Sequence, residues 1–251
     1  MANNRLSAMV AIALIAGTPV YSYAEAGEGL LQRLYRLIHH DAAYQGRLTE
    51  VVQRATLKSS NRGLLPRVLF INGRSGEVIE WIKGKGSVEP LICPDGLTLV
   101  VRRGSTIERA YVNMVNGQVE APGAATQLTG VEARQIFGCT LAEGGEGVWD
   151  VWLENQKGEL QTLRINREST SLAGVPAAFR SDPPEDVGRA LRKLQGIRAD
   201  GSAVMVRNSS LIIEGLLGGK ATQTVQVPVP VTGDAAWLGQ SDWVVVTGLK
   251  N

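Results

Sequence analysis

The chain has two histidines, His39 and His40, side by side. Successive residues of a helix point about 100° apart, so an adjacent pair does not offer two nitrogens to one metal ion. No cysteine or acidic cluster lies near them in sequence, and zinc sites draw on such sets. What remains for the pair is a solvated helix end, or acid–base work, because histidine titrates near neutral pH unperturbed. Gly73-Arg74-Ser75-Gly76 is not the Gly-x-Ser-x-Gly elbow of serine hydrolases. Gly144-Gly145-Glu146-Gly147 does not lead from a strand into a helix, and the chain has no Gly-x4-Gly-Lys-Ser/Thr phosphate loop. The carboxylates are scattered, and no pair is marked for glycoside chemistry. The expectation is a protein that is not an enzyme, with no catalytic residue, no metal and no cofactor.

Cys93 and Cys139 are the two cysteines. In an oxidising compartment they can pair as a disulfide. The sequence does not say whether their Cα atoms come within bridging reach. Two small buried apolar residues are the equal alternative. Nothing around either suggests the exposed, electropositive setting of a reactive thiol.

The compartment is read from residues 1–26. Arg5 supplies a basic start, Ala8–Ala16 is a nine-residue apolar run, and Gly17 and Pro19 follow. Small residues then sit at the spacing of a cleavage site, in Ser22-Tyr23-Ala24 or Ala24-Glu25-Ala26. That is the layout of a secretory signal peptide. The run falls well short of the ~20 residues that span a bilayer. A periplasmic protein released by cleavage is expected.

Lys+Arg at 26 against Asp+Glu at 24 leaves no basic excess, so nucleic acid is not an expected partner. Aromatic residues at 5% argue against a stacking platform for bases. Gly at 29 residues, with many Val, Ile and Thr, points to strands and turns.

Leu30–Ala43 reads as a helix, with Leu30, Leu34, Leu37 and Ile38 on one face. Arg47–Ala55 is a candidate strand. Arg67–Ile71 and Glu77–Ile82 flank Asn72–Gly76 as a hairpin. Val88–Ile92 and Leu97–Arg102 flank the turn Pro94-Asp95-Gly96, in which Pro presets φ and Gly accepts a positive one. Strands follow at Ile107–Val115, Ala133–Phe137, Val148–Leu153 and Leu160–Ile165, with a small-residue loop over Ala121–Gly130. Asn166–Arg180 is irregular. Pro183–Gln195 reads as a helix capped by Asp182, acidic in its first turn and basic in its last. Strands resume at Ala203–Arg207, Leu211–Glu214, Thr222–Val231 and Trp243–Thr247. Strands and helices do not alternate regularly, so a doubly wound parallel sheet is not expected.

Several short stretches carry a family resemblance. They are Leu30-Leu31-Gln32-Arg33-Leu34 with Tyr44-Gln45-Gly46, then Leu65–Gly73 running on to Gly76-Glu77-Val78-Ile79. Cys93-Pro94-Asp95-Gly96, the hairpin Val148–Ile165, Ala199–Ala203 and Trp243–Gly248 complete them. In order and type they resemble the MucB/RseB family of periplasmic regulators. The resemblance implies an α+β, mostly antiparallel fold: a LolA-like open half-barrel with a leading helix, plus a smaller C-terminal α/β-type domain. It implies a signal peptide over 1–26, a LolA-like domain over 27–165, a linker over 166–180 and a smaller domain over 181–251. It further implies binding to the periplasmic domain of an anti-sigma factor, restraint of the envelope-stress sigma factor, and sensing of lipid or lipopolysaccharide. Contact residues do not carry over, and a homo-oligomer stays open.

Two alternatives stand beside it. A lone LolA-like lipid carrier is one. A TolB-like β-propeller interaction protein is the other, because Pro94-Asp95-Gly96 and Ala199-Asp200-Gly201, each leading into a strand, look like inner-strand turns of that repeat. Propellers repeat roughly every 40–50 residues, whereas these two turns lie 105 residues apart.

Overall fold

The computed structural model describes residues 29–39, 65–83, 88–120, 122–142, 147–207, 210–214, 223–227 and 231–250. The expected signal peptide, His40, the strand at Arg47–Ala55 and Pro228 and Pro230 lie outside the described residues.

The run Val68-Leu69-Phe70-Ile71 dictates the plan. All four side chains are buried, yet neighbours along a strand point to opposite faces. This strand is therefore covered on both sides. Leu99-Val100-Val101, Val151-Trp152-Leu153, Val204-Met205-Val206 and Trp243–Val246 are buried in the same two-sided way. Sheets made of such strands stack face to face with neighbours on either side.

Four sheets do so, each antiparallel. Sheet I contains β1 (Leu65–Asn72), β2 (Val78–Lys83), β16 (Val231–Trp237) and β17 (Trp243–Lys250), in the order β16-β17-β1-β2. Sheet II is β3 (Val88–Ile92), β4 (Thr98–Arg103), β5 (Thr106–Tyr111) and β8 (Thr126–Glu132). Between β5 and β8 a two-stranded ribbon protrudes, β6 (Asn113–Val115) and β7 (Gln118–Glu120). Sheet III is β9 (Gln135–Leu141), β10 (Trp149–Glu154), β11 (Leu160–Ile165) and β12 (Thr170–Ala173). Sheet IV is β13 (Ala203–Arg207), β14 (Ser210–Glu214) and β15 (Gln223–Val225). Its innermost strand shrinks to a bridge between Ile197 and Ala203, backed by Val204 N–H donating to Gly196 O at 2.8 Å.

The buried clusters show that these sheets close into a ring. Val68 and Phe70 of sheet I pack with Val88, Leu99 and Val101 of sheet II. Leu91, Val100 and Ile107 of sheet II pack with Ile136, Val151 and Leu163 of sheet III. Leu69, Ile71 and Val244 of sheet I pack with Val204, Val206 and Leu211 of sheet IV. Between sheets III and IV two α-helices fill the gap: α1 (Leu30–His39) and α2 (Pro184–Leu194). Leu34, Tyr35, Ile38, Val187, Leu191 and Leu194 meet Phe137 and Trp152 on one side and Ala203, Met205 and Ile212 on the other. Each fully buried large apolar side chain contributes about 1.5–3 kcal/mol to that packing. The ring is locked where the chain's last described strand meets its first. β17 pairs with β1 over eight positions, from Asn72 opposite Trp243 to Leu65 opposite Lys250.

This propeller-like ring of antiparallel sheets around a centre corrects the LolA-like half-barrel and the smaller α/β-type domain. A half-barrel sheet leaves one face open and would alternate buried with exposed residues. Here both faces are covered, by neighbouring sheets or by the two helices. Residues 166–180 carry β12 and a 3-10 turn (Ala177–Phe179), and strands from before and after them share sheet I. Residues 107–115 break at Val112 into β5 and β6, and the expected small-residue loop contains the start of β8.

Two details place the helices. A Cβ on Gly188 would come within 2.8 Å of the Phe137 ring, so the glycine allows α2 to lie close on β9. Asp182 does not cap α2; no side-chain cap is present there. Both Asp182 oxygens instead accept from Arg33 Nη2 of α1, at 2.9 and 3.0 Å. Arg33 also donates to Ala178 O and lies 5.1 Å above the Phe179 ring.

Candidate functional site

In each sheet the turn out of the innermost strand closes with a backbone bond of one kind. Cys93 N–H donates to Thr98 O at 2.8 Å, Ala142 to Val148 at 3.0 Å, Arg198 to Ser202 at 2.8 Å and Leu238 to Trp243 at 2.9 Å. These four turns gather at one end of the ring. A Cβ on Gly96, whose φ is +69°, would meet Gly239 N at 2.9 Å, so turns 93–98 and 238–243 touch backbone to backbone. Arg198 reaches from the third turn to the fourth, donating to Gln240 O at 3.2 Å and Ser241 O at 2.9 Å and stacking 3.9 Å from the Trp237 ring centre. Asp95 Oδ1 accepts from the Leu97 and Thr98 amides, each at 2.9 Å, and Asp200 Oδ1 from Ser202 at 2.8 Å. The two Asp-Gly motifs thus hold equivalent turns.

At this end a groove of about 650 Å³ opens between sheets II and III. Leu97, Tyr111, Met114, Trp149 and Ile165 form its apolar lining, with Asn166 and Arg167 on its rim. Leu97 is 42% exposed, Tyr111 41% and Val115 of the adjoining ribbon 44%, three of the four large hydrophobics exposed among the described residues. The ribbon is held down by Trp243 Nε1 donating to Gly117 O at 3.0 Å, with Trp81 Nε1 on Pro122 O at 2.9 Å just beyond it. Its tip is a two-residue turn in which Asn116 (φ +52°) and Gly117 (φ +76°) both take positive φ, the hairpin geometry matched to strand twist.

At the middle of the ring, the innermost strands and α2 enclose a second, smaller pocket of about 240 Å³. Leu91 of β3, Ile136 and Phe137 of β9 and Ala235 and Ala236 of β16 wall it; Glu89, Arg192, Gln195 and Thr247 supply its polar atoms. It continues into an outer cleft of about 440 Å³ that shares Glu89, Phe137 and Arg192.

The residues singled out by sequence fall elsewhere. His39 ends α1 half-buried, its ring 4.4 Å from that of Tyr35. Among the described residues no cluster of three or more His, Cys, Asp or Glu is arranged to hold a metal ion. Gly73–Gly76 forms the β1–β2 turn, in which Asn72 Oδ1 accepts from Arg74 and Ser75. Cys93, just after β3, and Cys139 of β9 are joined, with Cα atoms 5.0 Å apart and a sequence separation of 46. Both are fully buried, and the bond staples sheet II to sheet III beneath the groove. The groove itself was not foreseen. Its one sequence signal is the pair Leu97 and Tyr111, apolar residues beside turn residues. Arg192, one of the basic residues in the last turn of α2, lines the smaller pocket, which its helix-end signal did not mark. Among the described residues no helix is long and apolar enough to cross a membrane.

No family model matches the chain, and no curated protein sequence matches it. A solved structure assigned to TolB from Agrobacterium tumefaciens aligns over 75% of this chain and 99% of its own, at 11% identity and a TM-score of 0.30. An overlap of that quality leaves both fold and function to the chain's own geometry. The MucB/RseB resemblance is corrected with its fold: the short matches at Leu65–Gly73 and Trp243–Gly248 lie in the paired strands β1 and β17 of a closed ring. The anti-sigma-factor, lipid and lipopolysaccharide partners that it implied lose their basis.

Proposed function

We propose that this chain is a TolB-like β-propeller interaction protein of the periplasm, which seats a protein partner in the groove between sheets II and III. The observation that carries the reading is the pairing of Leu97 and Tyr111, each more than two-fifths exposed, in the lining of one groove at the end of a closed ring. Clustered exposed apolar surface rimmed by polar residues marks binding surface, whereas single exposed hydrophobics do not. Rigid sheets below and turns above are a common way to present such a surface. The two Asp-Gly inner turns and the ring order support the propeller part. The basic-apolar-small order of residues 1–26 and the joined Cys93 and Cys139 support an oxidising, exported setting.

The test is site-specific photo-crosslinking in intact cells. A photoreactive residue at Tyr111 or Leu97 yields a discrete protein adduct, and one at Lys157, on the β10–β11 turn at the other end of the ring, yields none. Adducts at Lys157 equal to those at Tyr111, or none at either groove position, overturn the assignment.

A further inference from the structure

The axial pocket is separate from the groove and has a chemistry of its own. Its walls are apolar, from Leu91, Ile136, Phe137, Ala235 and Ala236. Its polar side chains each have a protein partner, with one exception. Glu89 accepts from Arg102 Nε at 2.9 Å. Thr247 Oγ1 donates to Val88 O at 3.3 Å, and Gln195 Nε2 to Cys139 O at 3.4 Å. The exception is Arg192. Its guanidinium lies 5.3 Å from the Phe137 ring centre and has no carboxylate or carbonyl acceptor among the described residues. The neighbouring cations of the outer cleft differ: Arg134 is paired with Glu154 at 3.2 Å and Arg189 with Asp186 at 3.1 Å.

We infer that this pocket binds a carboxylate carried on a short apolar group, with Arg192 as the anion-binding residue. A guanidinium is planar and carries its N–H donors as a fork, the arrangement that grips a carboxylate by two parallel bonds. Arg192 sits in the last turn of α2, where the backbone offers carbonyls rather than amides. The guanidinium is therefore the anion donor the helix end itself lacks. At about 240 Å³ the pocket is below the ~300–1,000 Å³ of drug-sized sites, so it admits one branched aliphatic group rather than a long chain. Both a free branched-chain acid and the C-terminal residue of a peptide present this chemistry. The outer cleft gives a peptide room to leave.

The test is calorimetric titration of the purified, leader-free chain with three probes: 4-methylpentanoate, acetyl-Ala-Gly-Leu with a free carboxylate, and the same peptide as its amide. At least one free acid binds, and the amide binds roughly tenfold or more weakly than its acid, the cost of losing a charge-assisted pair. Arg192→Gln removes that preference; Arg189→Gln, in the outer cleft, retains it. The tighter of the two acids identifies the natural source. An amide that binds as well as its acid, an Arg192→Gln protein that keeps the preference, or two acids that both fail to bind at millimolar concentration each overturns the assignment. None of these outcomes bears on the groove, which the crosslinks at Tyr111 judge separately.

Discussion

Replacing both Cys93 and Cys139 by alanine removes a constraint whose size follows from its place in the chain. The bond closes a loop of 46 residues. Cross-linking a loop of that length lowers the entropy of the unfolded chain by roughly 13 cal/mol/K, or about 4 kcal/mol at 25 °C. Both sulfurs sit in the dry core between sheets II and III beside Leu91, Ile136 and Val151, so trimming them to methyl groups costs about 1 kcal/mol more in lost contacts. A loss of about 5 kcal/mol is expected, against a total of roughly 5–15 kcal/mol for a folded domain. Urea unfolding, followed by the fluorescence of the buried Trp152 and Trp243, measures it. The slope of the transition should also rise, because the uncrosslinked chain exposes more surface when unfolded. A loss below about 2 kcal/mol, or a wild-type midpoint that does not move when the protein is reduced before unfolding, refutes the reasoning.

Three further outcomes follow from single contacts. Asp182→Ala leaves the half-buried Arg33 guanidinium without its paired oxygens, at a cost of about 2–4 kcal/mol; hydrogen exchange should accelerate over Leu30–His39, and unchanged protection there counts against the docking of α1. Gly188→Ala drives a methyl group into the Phe137 ring and should cost about 1–3 kcal/mol by overpacking; an unchanged melting temperature means that α2 does not lie on β9 as described. Trp243→Phe removes the bond to Gly117 O and should loosen Asn113–Glu120, seen as faster amide exchange in the ribbon, with groove crosslinking at Tyr111 weakened.

Local structure was largely legible in the sequence. Pro184, Glu185, Asp186, Arg192 and Lys193 mark α2 to within a residue, and Asn72–Gly76 marks the β1–β2 turn, because such signals act over a few residues. The ring was not legible in the same way. Its closure depends on β1 finding β17 across most of the chain, and no local rule encodes that pairing. One signal was present and read too narrowly. Val68-Leu69-Phe70-Ile71 and Trp243–Val246 are unbroken apolar runs, and an unbroken run announces burial on both faces, which a half-barrel does not provide. The repeat was hidden for a different reason. Of the four equivalent inner turns, 93–98 and 198–202 carry Asp-Gly, while 142–148 and 238–243 reach the same closure with other residues, and sheet IV trades most of its innermost strand for α2. The groove and the axial pocket lie between sheets, so they became visible only once the sheets were placed.

The claim on which the rest depends is that the chain closes on itself through β1 and β17. Nuclear Overhauser contacts between their Hα protons test it directly. The ring predicts close Hα–Hα contacts at alternate pairs of the register running from Asn72–Trp243 to Arg67–Gly248. A β1 that contacts β2 and shows no such contact with β17 contradicts the ring, and with it the groove and the pocket that the ring creates.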